Sequence, residues 1–215
     1  MDGYAGYNKL QDVILVRCFT HARRKFTDAY KALGIKDQKA DVASKKGIDF
    51  CNELYHVEHK LAEMTPNERY EERLKQSVPI LEEFKKWLLW HKSRLMPKSS
   101  FGKAVLYCLN LWDELTNYLK DGRLEIDNNR AERSVKNYVI GRKNWLFSNT
   151  PRGAKGSATI YSIVETAKEN GLNVPKYICW LLEKMPNMDI ADETVLDSLL
   201  PWSPGIPDDC KLKKR

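Results

Sequence analysis

The amino-acid sequence predicts a mainly helical protein with one short strand, and three observations carry that prediction. Apolar residues recur at helical spacing through residues 48–61, 80–89 and 101–119. One run, Val13-Ile14-Leu15-Val16, is continuously aliphatic and β-branched, as in a buried strand. Helix start and stop signals fall at Thr65-Pro66, Pro97–Ser100, Asp127, Gly171 and Asn173.

Taken in order, Tyr4 to Gln11 can form a short helix, and the strand follows over residues 13–18. Thr20 or His21 opens a helix to about Leu33, with Phe26, Ala29, Tyr30 and Leu33 at helical spacing and Arg23, Arg24 and Lys25 as a basic cluster. Residues 34–120 read as an all-α block, nearly neutral, with 14 Lys/Arg against 13 Asp/Glu from Asp37 to Lys120. Ile48, Cys51, Leu54, Tyr55, Val57 and Leu61 make one stripe. Thr65 is an N-cap with Pro66 at the first helical position. Arg69 to Lys75 reads as exposed charge, after which Ile80, Leu81, Phe84, Trp87, Leu88 and Leu89 make a second stripe. Pro97-Lys98-Ser99-Ser100 breaks the chain, and Phe101 to Leu119 is one further helix. The aromatic stripes read as core, because nothing basic interleaves with them. Beyond Phe147, Ser148 to Gly153 reads as a turn with cationic ends. A helix follows from about Ala154 to Asn170, closed by Gly171 in the left-handed conformation. Asn173 caps another helix to about Met185, and from Pro186 the pattern decays into an acidic, proline-punctuated tail with a basic end at Lys211–Arg215.

The composition is that of an ordinary globular protein, with 42% hydrophobic and 30% charged residues in 215. A pI near 9.0 favours an acidic partner, of which nucleic acid is the commonest. No apolar run approaches a membrane span and no signal peptide opens the sequence, so a cytoplasmic, nucleoid-associated location is expected. Five widely spaced cysteines (18, 51, 108, 179 and 210) argue against a disulfide framework and for buried thiols. Cys18-x-x-His21 has the spacing of half a zinc site, which Cys51, His56 and His59 could complete. No second tight pair exists, however, and the two histidines lie on an amphipathic helix.

The functional signal is concentrated in Asp121 to Trp145. Asp121-Gly122 is a turn signal, Arg123 to Ile126 alternates as an extended run, and Asp127 can cap a helix from Asn128 to about Val139. Between Asn128 and Gly156 stand seven Lys/Arg (130, 133, 136, 142, 143, 152 and 155) and one acid, Glu132, a local net of +6 in a chain whose net charge is +7. A lone carboxylate in a cationic field reads either as a surface Glu paired with Arg133 or Lys136, or as a metal-binding carboxylate beside a phosphate track.

The flanking residues bear on that choice. Asp127-Asn128-Asn129-Arg130-Ala131-Glu132-Arg133, Gly141-Arg142-Lys143-Asn144-Trp145-Leu146-Phe147, Pro151-Arg152-Gly153-Ala154 and Glu165-Thr166-Ala167-Lys168 resemble the signature of the insertion-sequence-66 family of bacterial transposases. Asp2 to Tyr7 and Cys18 to Phe26 resemble two further blocks of that family, in the right order.

The resemblance implies an incomplete ribonuclease H-like α/β fold with a large all-α insertion. Residues 1–33 would be part of the core, 34–120 the insertion, 121–185 the C-terminal part of the core, and 186–215 a tail with a docking segment at Leu199-Leu200-Pro201-Trp202. It also implies a DDE-type transposase performing metal-dependent DNA cleavage and strand transfer. Asp2 would be the second and Glu132 the third carboxylate around Mg²⁺ (or Mn²⁺). Glu125 and Asp127 compete for the third role, but Asp127 reads as a cap and Glu125 as strand-borne. Arg23, Arg24, Lys25, Arg130, Arg133, Lys136, Arg142, Lys143 and Arg152 would contact DNA, both transposon ends and target. The family's first Asp and its strand have no counterpart here, so the chain alone is expected to be inactive, with the N-terminal part of a transposase, accessory element-encoded proteins or a second copy as partners. The competing expectation is a non-catalytic, basic helical DNA-binding or regulatory protein derived from a transposable element.

Overall fold

The computed structural model describes residues 6, 9, 11–34, 42–144, 148–189 and 191–212; side chains from Arg142 to Asn144 lie outside that description. The chain divides into two compact units, Met1–Arg130 and Ala131–Arg215. Among the described residues the secondary structure is helical, with no strand ladder beyond one isolated bridge.

The first unit is built from α1 (Phe19–Lys31), α2 (Ala43–Lys60), α3 (Pro66–Lys92), α4 (Ser100–Asn110) and α5 (Trp112–Thr116), followed by a 3₁₀ turn at Asn117–Lys120. Helix α1 packs on α2 and α4, and α3 packs on the same two helices. The core between them is aromatic. Phe50 stacks on Phe84 at 4.9 Å, and Phe26, Trp87 and Trp112 each lie within about 6 Å of Phe84. The start of α3 follows the expected logic and extends it. Thr65 Oγ1 accepts from the Glu68 N–H at 3.4 Å while Glu68 Oε2 accepts from the Thr65 N–H at 2.9 Å, a complete capping box. Ser99 caps α4 by accepting from the Gly102 N–H at 2.9 Å.

Several expectations are corrected here. Residues 13–18 join no strand; Val13 and Ile14 are exposed, the Leu15 carbonyl accepts from the Asn117 side chain, and the Arg17 N–H is bound by the Glu114 carbonyl. Loop and helix-end groups occupy the backbone that a ladder would have used. Arg123 to Ile126 is a turn and bend for the same reason: Asp121 and Arg73 accept or donate to its backbone. Phe101 to Leu119 is not one helix but breaks at Leu111 and tightens to 3₁₀ at Asn117. Leu89, placed in the apolar stripe, is half exposed, and Arg73, placed among exposed charges, is fully buried. The Trp145–Phe147 segment lies outside the described residues.

The second unit holds most of α6 (Asn129–Asn144), then α7 (Pro151–Glu169), α8 (Val174–Lys184), a 3₁₀ turn at Met185–Asn187, α9 (Glu193–Asp197) and a last 3₁₀ turn at Asp208–Cys210. Helix α7 starts earlier than its apolar pattern, because Thr150 Oγ1 accepts from the Gly153 N–H at 3.1 Å and Pro151 occupies the first helical position. Gly171 has φ +69°, and Asn173 Oδ1 accepts from the Lys176 N–H at 3.3 Å, both as expected. The tail folds back onto α8. The Tyr177 hydroxyl donates to the Leu199 carbonyl at 2.6 Å, Leu199, Ile206 and Cys210 are buried, and Leu172 bridges to Lys211. No helix among the described residues is long and apolar enough to cross a membrane.

Candidate functional site

The two charged motif blocks of the first unit meet at Thr20. The Phe19 N–H donates to the Ile126 carbonyl at 3.1 Å, which sets the start of α1 against the residue before Asp127. Asp127 then accepts three times: from the Asn129 N–H at 3.0 Å, from Asn129 Nδ2 at 2.7 Å and from the Thr20 hydroxyl at 3.4 Å. Asp127 thus serves the start of α6, one residue upstream of where a strict N-cap would sit, since α6 begins at Asn129. Thr20 also meets the Tyr55 hydroxyl at 2.6 Å. Burial pushes the Tyr55 phenol far above its usual range, so its proton stays on.

The loop that delivers this motif is held from α3. Arg73 forks onto Glu58, Nε to Oε1 at 2.8 Å and Nη2 to Oε2 at 2.6 Å. Its remaining donors reach the carbonyls of Tyr118 (3.0 Å), Asp121 (3.1 Å) and Leu124 (2.8 Å). Every N–H of the guanidinium is therefore aimed at an acceptor, which is the condition under which a buried charge is tolerated. Arg69, one turn earlier, donates to the carbonyls of Leu61, Ala62 and Gly122. The turn comes so close to α3 that a β-carbon at Gly122 would lie 1.8 Å from the Pro66 carbonyl oxygen. The Asp121 carboxyl, at the edge of the loop, is held down at about 2 by hydrogen bonds from Arg123.

The other residues singled out in the sequence are distributed as follows. Asp2 lies outside the described residues. Glu132 is exposed in the first turn of α6, as are Arg130, Arg133 and Lys136 along the same helix, and Arg130 pairs with Glu125 at 3.7 Å. Arg142 and Lys143 are in α6, with side chains outside the description, and Arg152 is exposed in the first turn of α7. Arg24 and Lys25 are exposed on α1, Lys25 over the Tyr107 ring at 5.7 Å. Arg23 lies over the Tyr55 ring at 4.9 Å and donates to Asn52 at 3.2 Å, so it is engaged within the first unit. In the second unit, Asn137 donates to Glu165 at 3.1 Å and Tyr138 meets Tyr161 edge to face at 5.4 Å, which seats α6 on α7.

Among the described residues no group of three or more His, Cys, Asp or Glu is placed to hold a metal ion. Cys18 and Cys51 are buried free thiols, and burial pushes Cys51 up to about 12. Of the two carboxylates that the resemblance assigns to a metal, Glu132 is exposed on α6 and Asp2 lies outside the described residues.

Sequence reading missed Thr20, Tyr55, Glu58 and Arg73 as parts of this site. For Arg73 a signal existed. Positions 73, 77, 81, 84 and 88 continue one helical stripe, and all five are buried although the first two are Arg and Ser.

Comparison with known proteins agrees with the motif blocks. The model of the transposase IS66 family matches residues 1–156, and that of the IS66 C-terminal element matches residues 162–202. Among curated proteins, the chain is 29% identical to the uncharacterized protein y4jD of Sinorhizobium fredii, over 94% of this chain and 40% of that protein. It is also 29% identical to y4hP of the same organism, over 86% of this chain and 34% of that protein, and to y4qI, over 94% and 38%. The chain thus spans about two fifths of the length of the curated relatives it matches. No solved structure matches it.

Proposed function

The chain belongs to the IS66 transposase family, and from that membership we propose that it binds DNA through α6 and the start of α7 and contributes to metal-dependent cleavage and strand transfer in transposition. The observation that carries this reading is the display on α6: Glu132 exposed in the first turn, with Arg130, Arg133 and Lys136 exposed around it in sequence. Exposed cations of this kind add salt-dependent, sequence-independent affinity for phosphates. Arg152 adds a further exposed cation in the first turn of α7. On this reading Glu132 and Asp2 are metal-holding carboxylates, for Mg²⁺ or Mn²⁺, and the remaining elements belong to a ribonuclease H-like core interrupted by the all-α insertion of residues 34–120. The metal would supply an activated oxygen nucleophile and stabilise the leaving oxygen. The protein's own residues hold the phosphates and fix the carboxylates.

The test is DNA binding by the full chain as a function of salt, beside a Mn²⁺-dependent cleavage assay. The logarithm of the binding constant should fall linearly with the logarithm of salt concentration, and replacing Arg130, Arg133 and Lys136 together by Ala should lower that slope by about 3. Glu132→Gln should leave DNA binding intact and abolish any metal-dependent reaction. A flat salt dependence defeats the DNA-binding reading. Full binding with a metal-dependent reaction indifferent to Glu132 assigns the chain a DNA-binding role in which that carboxylate takes no part.

A further inference from the structure

Two side chains on one face of α2 start hydrogen-bond chains that lead from the helical block to the motif. Tyr55 and Glu58 stand one turn apart. Glu58 holds Arg73, which holds the carbonyls of the loop from Tyr118 to Leu124. Tyr55 holds Thr20, which reaches Asp127 and Asn129. Thr20 Oγ1 lies 3.4 Å from Asp127 Oδ2, to which it can donate, and accepts from Asn129 Nδ2 at 3.3 Å. The Thr20 and Tyr55 hydroxyls meet at 2.6 Å, where either can be the donor; when the Thr20 proton points to Asp127, the phenol supplies the proton of that bond. Thr20, Asp127 and Asn129 form a closed triangle, and the Tyr55 hydroxyl is bonded to its Thr20 corner.

We propose that Tyr55 is a positioning residue of the transposase site: through Thr20 it fixes Asp127 and Asn129, and so the first turn of α6 that carries Glu132. The helices of residues 43–92 are then a working part of the site rather than a passive insertion. This rests on the reading of Glu132 as a metal carboxylate, so the experiment has one arm that does not depend on that reading.

In the first arm, amide hydrogen exchange is followed in the full-length chain. Tyr55→Phe keeps the ring and removes the hydroxyl, and should speed exchange across residues 129–133 about fivefold, the loss expected for one hydrogen bond. Thr20→Val should do the same and Thr20→Ser should retain wild-type protection, while α3 and α8 stay unchanged in all three. Wild-type protection in both Tyr55→Phe and Thr20→Val, or an equal loss throughout α1–α4, overturns the proposal. In the second arm, Mn²⁺ is the probe, with its paramagnetic broadening of amides near Glu132 as the readout. Tyr55→Phe and Thr20→Val should each weaken Mn²⁺ binding severalfold, and Thr20→Ser should leave it at the wild-type level. Undiminished affinity in Tyr55→Phe overturns the positioning role. If the wild-type chain shows no Mn²⁺ binding that Glu132→Gln removes, the metal reading fails and the exchange arm alone decides the role of Tyr55.

Discussion

The unit ending at Arg130 and the unit beginning at Ala131 solve the same problem with different materials. In the first, sixteen buried residues among those described form one cluster, with Phe50 stacked on Phe84, Phe26 and Trp87 tilted against it and Trp112 edge-on. In the second, the buried cluster has seven residues among those described, gathered about Tyr177, and Val135, Ile140, Ile160, Leu182 and Trp202 are left largely exposed. Burial of apolar area is the main stabilising term, so the first unit has margin and the second has little. The motif straddles that difference. Asp127 and Asn129 are anchored in the well-packed unit, whereas Arg133 and Lys136 are presented by the sparer one. The lesson is that rigidity is spent on where the motif starts, and the cationic surface needs only a helix to stand on.

The comparison is broken most readily at Arg73. Arg73→Met leaves the Glu58 carboxylate and three carbonyls without their donor, and should cost about 3–5 kcal/mol in the first unit. Denaturant unfolding followed by tryptophan fluorescence, to which Trp87 and Trp112 of that core contribute, measures it. A loss under about 1 kcal/mol would mean that the loop is held by other means. In the second unit, Tyr177→Phe removes the hydroxyl that holds the Leu199 carbonyl, and should cost about 1 kcal/mol. The checkable sign is faster amide exchange and proteolysis across residues 196–210, and unchanged cleavage there would show the tail held by its apolar contacts alone.

The smallest effect is chemical. Cys179 is exposed on α8, whereas Cys51 and Cys108 lie in the aromatic core. Iodoacetamide at pH 8 should label Cys179 in the native chain and spare the other two, as read by peptide mass spectrometry. Burial raises the folded-state value of Cys51 to about 12 against an ordinary value near 9.0. The unfolded chain therefore releases this proton first, so stability is full below about pH 9 and falls as pH rises toward 12. Labelling of Cys51 at the same rate as Cys179 would show that the core of the first unit opens as easily as the second.

Much of this was legible from local chemistry. Thr65, Gly171 and Asn173 act as caps because each satisfies orphan backbone groups within a few residues, a requirement written in the sequence itself. The exposed cations of α6 were legible for the same reason: nothing apolar in their pattern asks for burial. What escaped depended on groups far apart in the chain. Arg73 looks like its charged neighbours until Glu58 and three carbonyls of residues 118–124 are brought to it. Val13 to Val16 has strand composition, but a strand exists only where another backbone accepts its ladder. The tail looked unstructured by periodicity, and its order comes from single residues, Leu199, Ile206 and Cys210, that dock one at a time.

The close approach at Gly122 has a practical consequence for anyone cutting or grafting this chain. A junction at Asp121-Gly122 looks attractive, since it is a turn between the helical block and the motif. A methyl group there would act as a wedge under the first turn of α3, because Pro66 offers its carbonyl with no side chain to move aside. The displaced turn is the one that Arg69 and Arg73 grip, so the strain would travel toward Asp127 instead of relaxing into solvent. Swapping the helical block for a shorter linker therefore cannot be done at its most tempting seam.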